Sequence, residues 1–156
     1  MSWEGHLEHI FVAERASVEM EELLHADLIA GVGIEGDRYA TGRGKYSTSP
    51  HADRQVTLIE SETLEALRRD HGVLLPPDET RRNLTVSGVP LNHLVGRYFL
   101  IDEVLLFGGR LNTPCKYLDG LLGKDLFQLL LNRSGLNCRI IRGGVIAPGA
   151  LVRPAD

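Results

Sequence analysis

The chain has 156 residues, of which 43% are hydrophobic and 24% charged. That length predicts one domain over 1–156, with a core large enough to need no disulfide staples. A net charge of -4 and an aromatic content of 6% exclude a basic nucleic-acid stripe and a base-stacking platform. No apolar run is long enough to cross a bilayer, and an N-terminus carrying Glu4 and Glu8 lacks a basic-then-apolar leader. The expectation is a cytoplasmic protein with no nucleic-acid or membrane partner. The first 40 residues hold nine acids and two bases, so an anion site is expected in the later chain.

In chain order, Leu7–Ala13 reads as a strand and residues 27–32 as another. Gly31–Arg38 is a glycine-punctuated turn. It matches GxGxxG, but the polar loop that follows is no helix start, so the dinucleotide reading fails. Residues 40–53 form a long polar loop, and long loops in compact domains tend to carry function. Gln55–Ile59 is a strand. Ser61 is read as the N-cap of a helix with Glu62 and Glu65 in its first turn, Arg68 and Arg69 in its last, and Gly72 at its C-terminal left-handed position. Strands are predicted at 82–86, 97–101, 103–107 and 136–141, with Leu151-Val152 closing the sheet. Helices are predicted to open at Pro114 and to cover 123–132. Short strands at this spacing suggest a mainly β fold with flanking helices, an α+β barrel or curled sheet.

The candidate chemistry centres on Cys115, in Leu111-Asn-Thr-Pro-Cys-Lys116. Pro114 fixes the backbone ahead of the thiol, Thr113 is placed to cap a helix, and Lys116 adds a cation. A helix N-terminus and a nearby cation both favour thiolate, the nucleophile and soft-metal ligand. The competing reading is a buried structural cysteine, and that is the preferred reading of Cys138. Gly36-Asp37-Arg38 joins a flexible turn to a carboxylate and a guanidinium, so Arg38 either holds an oxyanion or pairs with Asp37. If the strand includes 81–84, Arg81 and Asn83 share a face opposite Arg82 and Leu84. His51 with Asp53 is the only histidine–acid pair near these candidates. No zinc spacing, P-loop, GxSxG or HExxH occurs.

His9–Ala13, Gly33–Tyr39, Arg54–Ile59, Arg82-Asn-Leu-Thr85, Gly96, Thr113-Pro-Cys115 and Gly143–Gly149 follow one another in an order and spacing that resembles the MOSC domain, found at the C-terminus of molybdenum-cofactor sulfurases. The chain looks like a small free-standing bacterial member. The resemblance implies a closed or curled MOSC-type β-barrel and a single functional cysteine, Cys115, as molybdenum ligand or persulfide carrier. It implies the molybdenum cofactor (molybdopterin) as ligand, one that purification is expected to remove. Arg81, Arg82, Asn83, Gly36, Asp37, Arg38, Thr113, Pro114 and Lys116 fall at or beside the motif positions that would bind it. It further implies a pterin cofactor or small-molecule substrate, with a sulfur or electron donor protein as partner. The family's N-terminal barrel segment and the sulfurases' pyridoxal-phosphate domain have no counterpart in the 156 residues. The open alternatives are a stand-alone oxidoreductase reducing N-hydroxylated compounds and a non-catalytic interaction module.

Overall fold

Strands with one apolar face must stack on a partner or curl until that face is enclosed, and here they curl. The computed structural model describes residues 2–48, 51–114 and 116–155, so Cys115 lies outside the described residues. Among these, the strands are β1 (Gly5–Val12), β2 (Glu21–Glu22), β3 (Ala26–Ile29), β4 (Gly33–Ile34), β5 (Val56–Glu60), β6 (Leu84–Ser87), β7 (Tyr98–Ile101), β8 (Val104–Leu111), β9 (Leu136–Arg142), β10 (Gly144–Ile146) and β11 (Leu151–Pro154). The helices are α1 (Arg38–Thr41), α2 (Ser61–His71) and α3 (Lys116–Leu122).

The sheet runs β11-β7-β8-β9-β5-β6-β1, and β11 also pairs with β1, which closes a seven-stranded barrel. The length of β1 makes the closure possible. Its start pairs with β11 (Gly5↔Val152), its middle with β6, and its end with the edge strand β2. A register shift between Leu7 and His9 bends it between these partners. The pairing of β5 with β6 is parallel, which requires a crossover; α2 and the segment to Asn83 provide it. A second sheet, β10-β3-β4, packs beside the barrel. The predicted β-barrel with flanking helices is therefore the observed fold. Its core includes Leu7, Ile10, Leu58, Leu84, Phe99, Ile101, Leu106, Leu136, Cys138 and Val152. Cys138 is fully buried there, and burial pushes its thiol well above the ordinary range.

A smaller apolar cluster lies under α2, joining Leu67 and Leu75 to Leu118, Leu126 and Leu130. Two local expectations shift. Ser61 is the first residue of α2, and its N-cap is Glu60, which makes no side-chain cap bond. Residues 123–132 are not a helix; the helix precedes them as α3. The reason is at Gly123, whose φ of 66° turns the chain, while Asp119 accepts the Leu126 N–H at 2.9 Å. The apolar spacing of Leu126 and Leu130 then comes from a single turn, with Leu130 N–H on Leu126 O at 2.9 Å. The other end of α2 follows expectation: Gly72 adopts φ 65°, and its N–H and that of Val73 bond back to Arg68 and Leu67.

Glu60 joins β5 to α2 and accepts the Leu91 N–H at 3.2 Å. Burial raises its pKa, Glu62 adds to the rise, and the Leu91 N–H and His93 oppose it. A raised native pKa favours folding at low pH, and that contribution is lost as pH climbs through the native value. Glu60→Gln keeps the acceptor for Leu91 and removes the charge. It is expected to raise Tm at about pH 7 and to leave it unchanged at about pH 4, where both side chains are neutral. Thermal melts at the two pH values check this; equal or lower Tm at the higher pH would contradict it.

Candidate functional site

The walls of the main cleft begin with Asp37. Its carboxylate caps α1 by accepting the Tyr39 N–H (3.2 Å), takes the Ala13 N–H (3.1 Å) and binds Arg38 Nη1 (3.0 Å). Asp37 is fully buried and Arg38 nearly so. Asp37 therefore aims Arg38, whose Nη2 donates to the Arg81 carbonyl at 3.1 Å and whose guanidinium lies 4.9 Å from the Tyr39 ring centre. The internal-pair and ligand-facing readings of Arg38 coexist, because Arg38 also lines a cleft of about 320 Å³.

Arg81 also lines that cleft. It precedes β6 with φ 61°, so the alternation expected for residues 81–84 does not apply until Leu84. One nitrogen, Nη1, donates to the Val18 carbonyl. The other, Nη2, is buried and has no hydrogen-bond partner, although the residue is only 7% exposed. Burial, and next the Arg38 charge, pull its pKa down, while Tyr117, Tyr39 and Asp37 act the other way. A buried guanidinium nitrogen with no acceptor is costly unless a ligand provides one.

Arg82 also lines the cleft, but its guanidinium clamps the wall: it donates to Ser134 O (2.9 Å), Thr80 O (3.2 Å), Asn112 Oδ1 (2.6 Å) and Ser134 Oγ (2.8 Å). Asn83 stands behind the wall. Its Oδ1 takes the Thr57 N–H and hydroxyl, and its amide donates to Phe11 O, tying β5 to β1. Thr113 and Pro114 line the cleft, whereas Gly36, Asp37, Asn83 and Lys116 are not among its lining residues. Cys115 falls outside the described residues, but its neighbours Pro114 and Tyr117 both line the cleft.

Sequence reasoning missed Tyr39, Lys45, Tyr46, Arg54, Arg110 and Tyr117, all of which line it. The length and polarity of the 40–53 loop were the signal for four of these six residues or their neighbourhood; nothing local marked Arg110 or Tyr117. Tyr117 gathers the mouth. It shares a 2.7 Å hydrogen bond with Ser17, lies 6.5 Å edge-on from Tyr46, and has the Lys45 ammonium 5.5 Å from its ring centre. The lining thus carries Arg38, Lys45, Arg54, Arg81, Arg82 and Arg110 against one acid, Asp119, whose Oδ1 accepts the Leu126 N–H. The lining also includes the apolar side chains Leu118, Leu126, Phe127 and Leu130. Such a cleft suits a ligand with a flat, weakly polar body and an anionic end. Among the described residues, no three His, Cys, Asp or Glu side chains cluster as an all-protein metal site would need. No helix there is long and apolar enough to cross a membrane.

The MOSC domain family model matches residues 37–153. The crystal structure of the YuaD protein from Bacillus subtilis aligns with a TM-score of 0.80 at 20% identity, covering 99% of this chain and 100% of that one. YiiM from Geobacillus stearothermophilus aligns at 0.74 and 16% identity, over 97% of this chain and 75% of that one. YiiM from Escherichia coli aligns at 0.71 and 18% identity, over 100% and 70%. At these identities the likeness establishes the fold. No curated protein matches the sequence.

Proposed function

The chain belongs to the MOSC domain family, and from that premise we propose that the cationic cleft binds a molybdopterin-type cofactor, with Cys115 as the thiolate that ligates molybdenum or carries sulfane sulfur. The family is linked to the molybdenum cofactor. The observation that carries the reading is Arg81, which lines the cleft and whose Nη2 is buried without a hydrogen-bond partner. A phosphate or oxo group would complete its hydrogen bonding and offset the repulsion from Arg38. The lining suits such a ligand: it combines cationic and apolar side chains, with a volume at the lower end of small-molecule sites.

In this reading Arg81 and Arg38 hold the anionic end. Arg82 keeps the Ser134 and Asn112 wall in place, and Tyr117 and Tyr46 narrow the mouth and limit water. The bound cofactor would supply a metal centre soft enough to take a thiolate. Cys115 is the only cysteine besides the core residue Cys138, so it is the sole thiol available for that role. A sulfur or electron donor protein would complete a reaction cycle.

The test is expression with molybdenum cofactor supplied, anaerobic purification, native mass spectrometry and metal analysis. The expected result is bound pterin with stoichiometric molybdenum, or an added sulfur on Cys115. Cys115→Ala is expected to lose most of the molybdenum or the added sulfur. Full molybdenum content in Cys115→Ala would overturn ligation by this residue.

A further inference from the structure

A second cavity of about 290 Å³ meets the main cleft at Tyr39 and Arg54, which line both. It is formed by the β3–β4 turn at Gly31 and Val32, the end of α1 at Gly42, and the segments around Ser47 and His51–Gln55. No acidic side chain is among its lining residues.

Three of its polar side chains, Gln55, Ser47 and His51, each have an acceptor atom engaged within the protein. Gln55 Oε1 takes the Ile140 N–H at 2.8 Å. Ser47 Oγ takes the Gly44 N–H at 2.8 Å. His51 Nδ1 takes the Asp53 N–H at 3.1 Å and lies 3.3 Å from the Asp53 carboxylate. What remains on these three side chains is donor capacity: the Gln55 amide N–H groups, the Ser47 hydroxyl proton and, with Nδ1 accepting the Asp53 N–H, the His51 Nε2–H. Asp53 is itself fixed, 7% exposed on its side chain and paired with Arg139. Arg54 adds positive charge to the same wall.

We propose that this second cavity binds the oxyanion of a small organic molecule, a carboxylate or a phosphate monoester. Three such donors beside the Arg54 charge favour a ligand rich in acceptors over one that must donate. The three donors line only this cavity, while Tyr39 and Arg54 line both, so the variants below are chosen to separate the two readings.

The experiment is a titration of the purified protein with inorganic phosphate and, separately, with acetate, against sodium chloride at matched ionic strength. Amide NMR shifts are followed at Gln55, Ala52 and Gly42. The expected result is saturable shifts at these residues with one of the two oxyanions and only linear drift with chloride. Val32→Trp adds bulk from a half-exposed position that lines only this cavity, and is expected to weaken binding at least about tenfold, roughly 1.4 kcal/mol. His51→Ser retains an acceptor for the Asp53 N–H, shortens the donor, and is expected to weaken binding similarly. Arg81→Met is expected to leave these shifts unchanged. Absence of saturation with both oxyanions, or wild-type titration of both Val32→Trp and His51→Ser, would overturn the proposal.

Discussion

Arg81→Met is expected to weaken anion binding in the main cleft at least about tenfold while leaving Tm unchanged or higher. The wild-type guanidinium is desolvated, faces the Arg38 charge, and has one nitrogen without a partner. Removing it relieves that repulsion and satisfies the unpaired donor by deletion. The price is one part-buried hydrogen bond to the carbonyl of the half-buried Val18. A charge-assisted hydrogen bond to a ligand oxyanion contributes about 1.5–3 kcal/mol, so its loss lowers affinity by about 10- to 150-fold. Molybdenum content after loading, read beside a thermal melt, measures both effects. Opposite signs identify a residue held in an unfavourable state for binding, a known trade between stability and function. A variant that retains the ligand, or one that loses the ligand only because it melts early, would contradict the assignment.

Gly135→Ala is expected to be among the most destabilising single changes in the chain. Gly135 has φ 109°, a region that side-chain-bearing residues rarely adopt, and a Cβ there would run into the Leu58 carbonyl of β5. That carbonyl is part of the β5–β9 ladder, where Leu58 pairs with Leu136, so neither strand is free to retreat. The Gly135 carbonyl also accepts the Asn112 N–H at 2.8 Å, which links the same turn to the cleft wall. Backbone strain and a backbone clash together are expected to cost about 3–4 kcal/mol, a large part of a typical domain's stability. For a chain of this size that lowers Tm by about 10 °C. Gly36→Ala is the control. Its φ of 86° carries strain, but a Cβ there meets nothing within 4 Å, so the cost is about 1–2 kcal/mol. Equal melting shifts for the two variants would show that conformational strain alone, not close approach to Leu58, governs position 135.

Several parts of the site are legible in single residues. The glycine-turn-carboxylate-arginine run of residues 36–38 does form a rigid corner, because Asp37 satisfies the Ala13 and Tyr39 N–H groups as well as Arg38. The long 40–53 loop does reach a cavity, contributing Lys45 and Tyr46 to one and Ser47 and His51 to the other. Strand alternation misleads at Arg81 because the residue sits in a left-handed turn ahead of β6, and no periodicity announces such a turn. The same limit explains Asn83. Its amide looks like a ligand contact in sequence, yet it bonds Thr57 and Phe11 across two strands that are 26 and 72 residues away.

The order of apolar runs, the turn glycines and the positions of the helix-ending residues are local properties, and they suffice to determine a mainly β chain with flanking helices. Short-range hydrogen bonding and side-chain size decide such features, so they are readable along the chain. Only the tertiary structure decided that β11 returns to β1, that Arg38 and Arg81 face one another across 43 residues, and that one guanidinium nitrogen is left without an acceptor. These depend on which distant groups share a buried space. Desolvation and unpaired hydrogen-bond capacity arise only once the chain has closed around them.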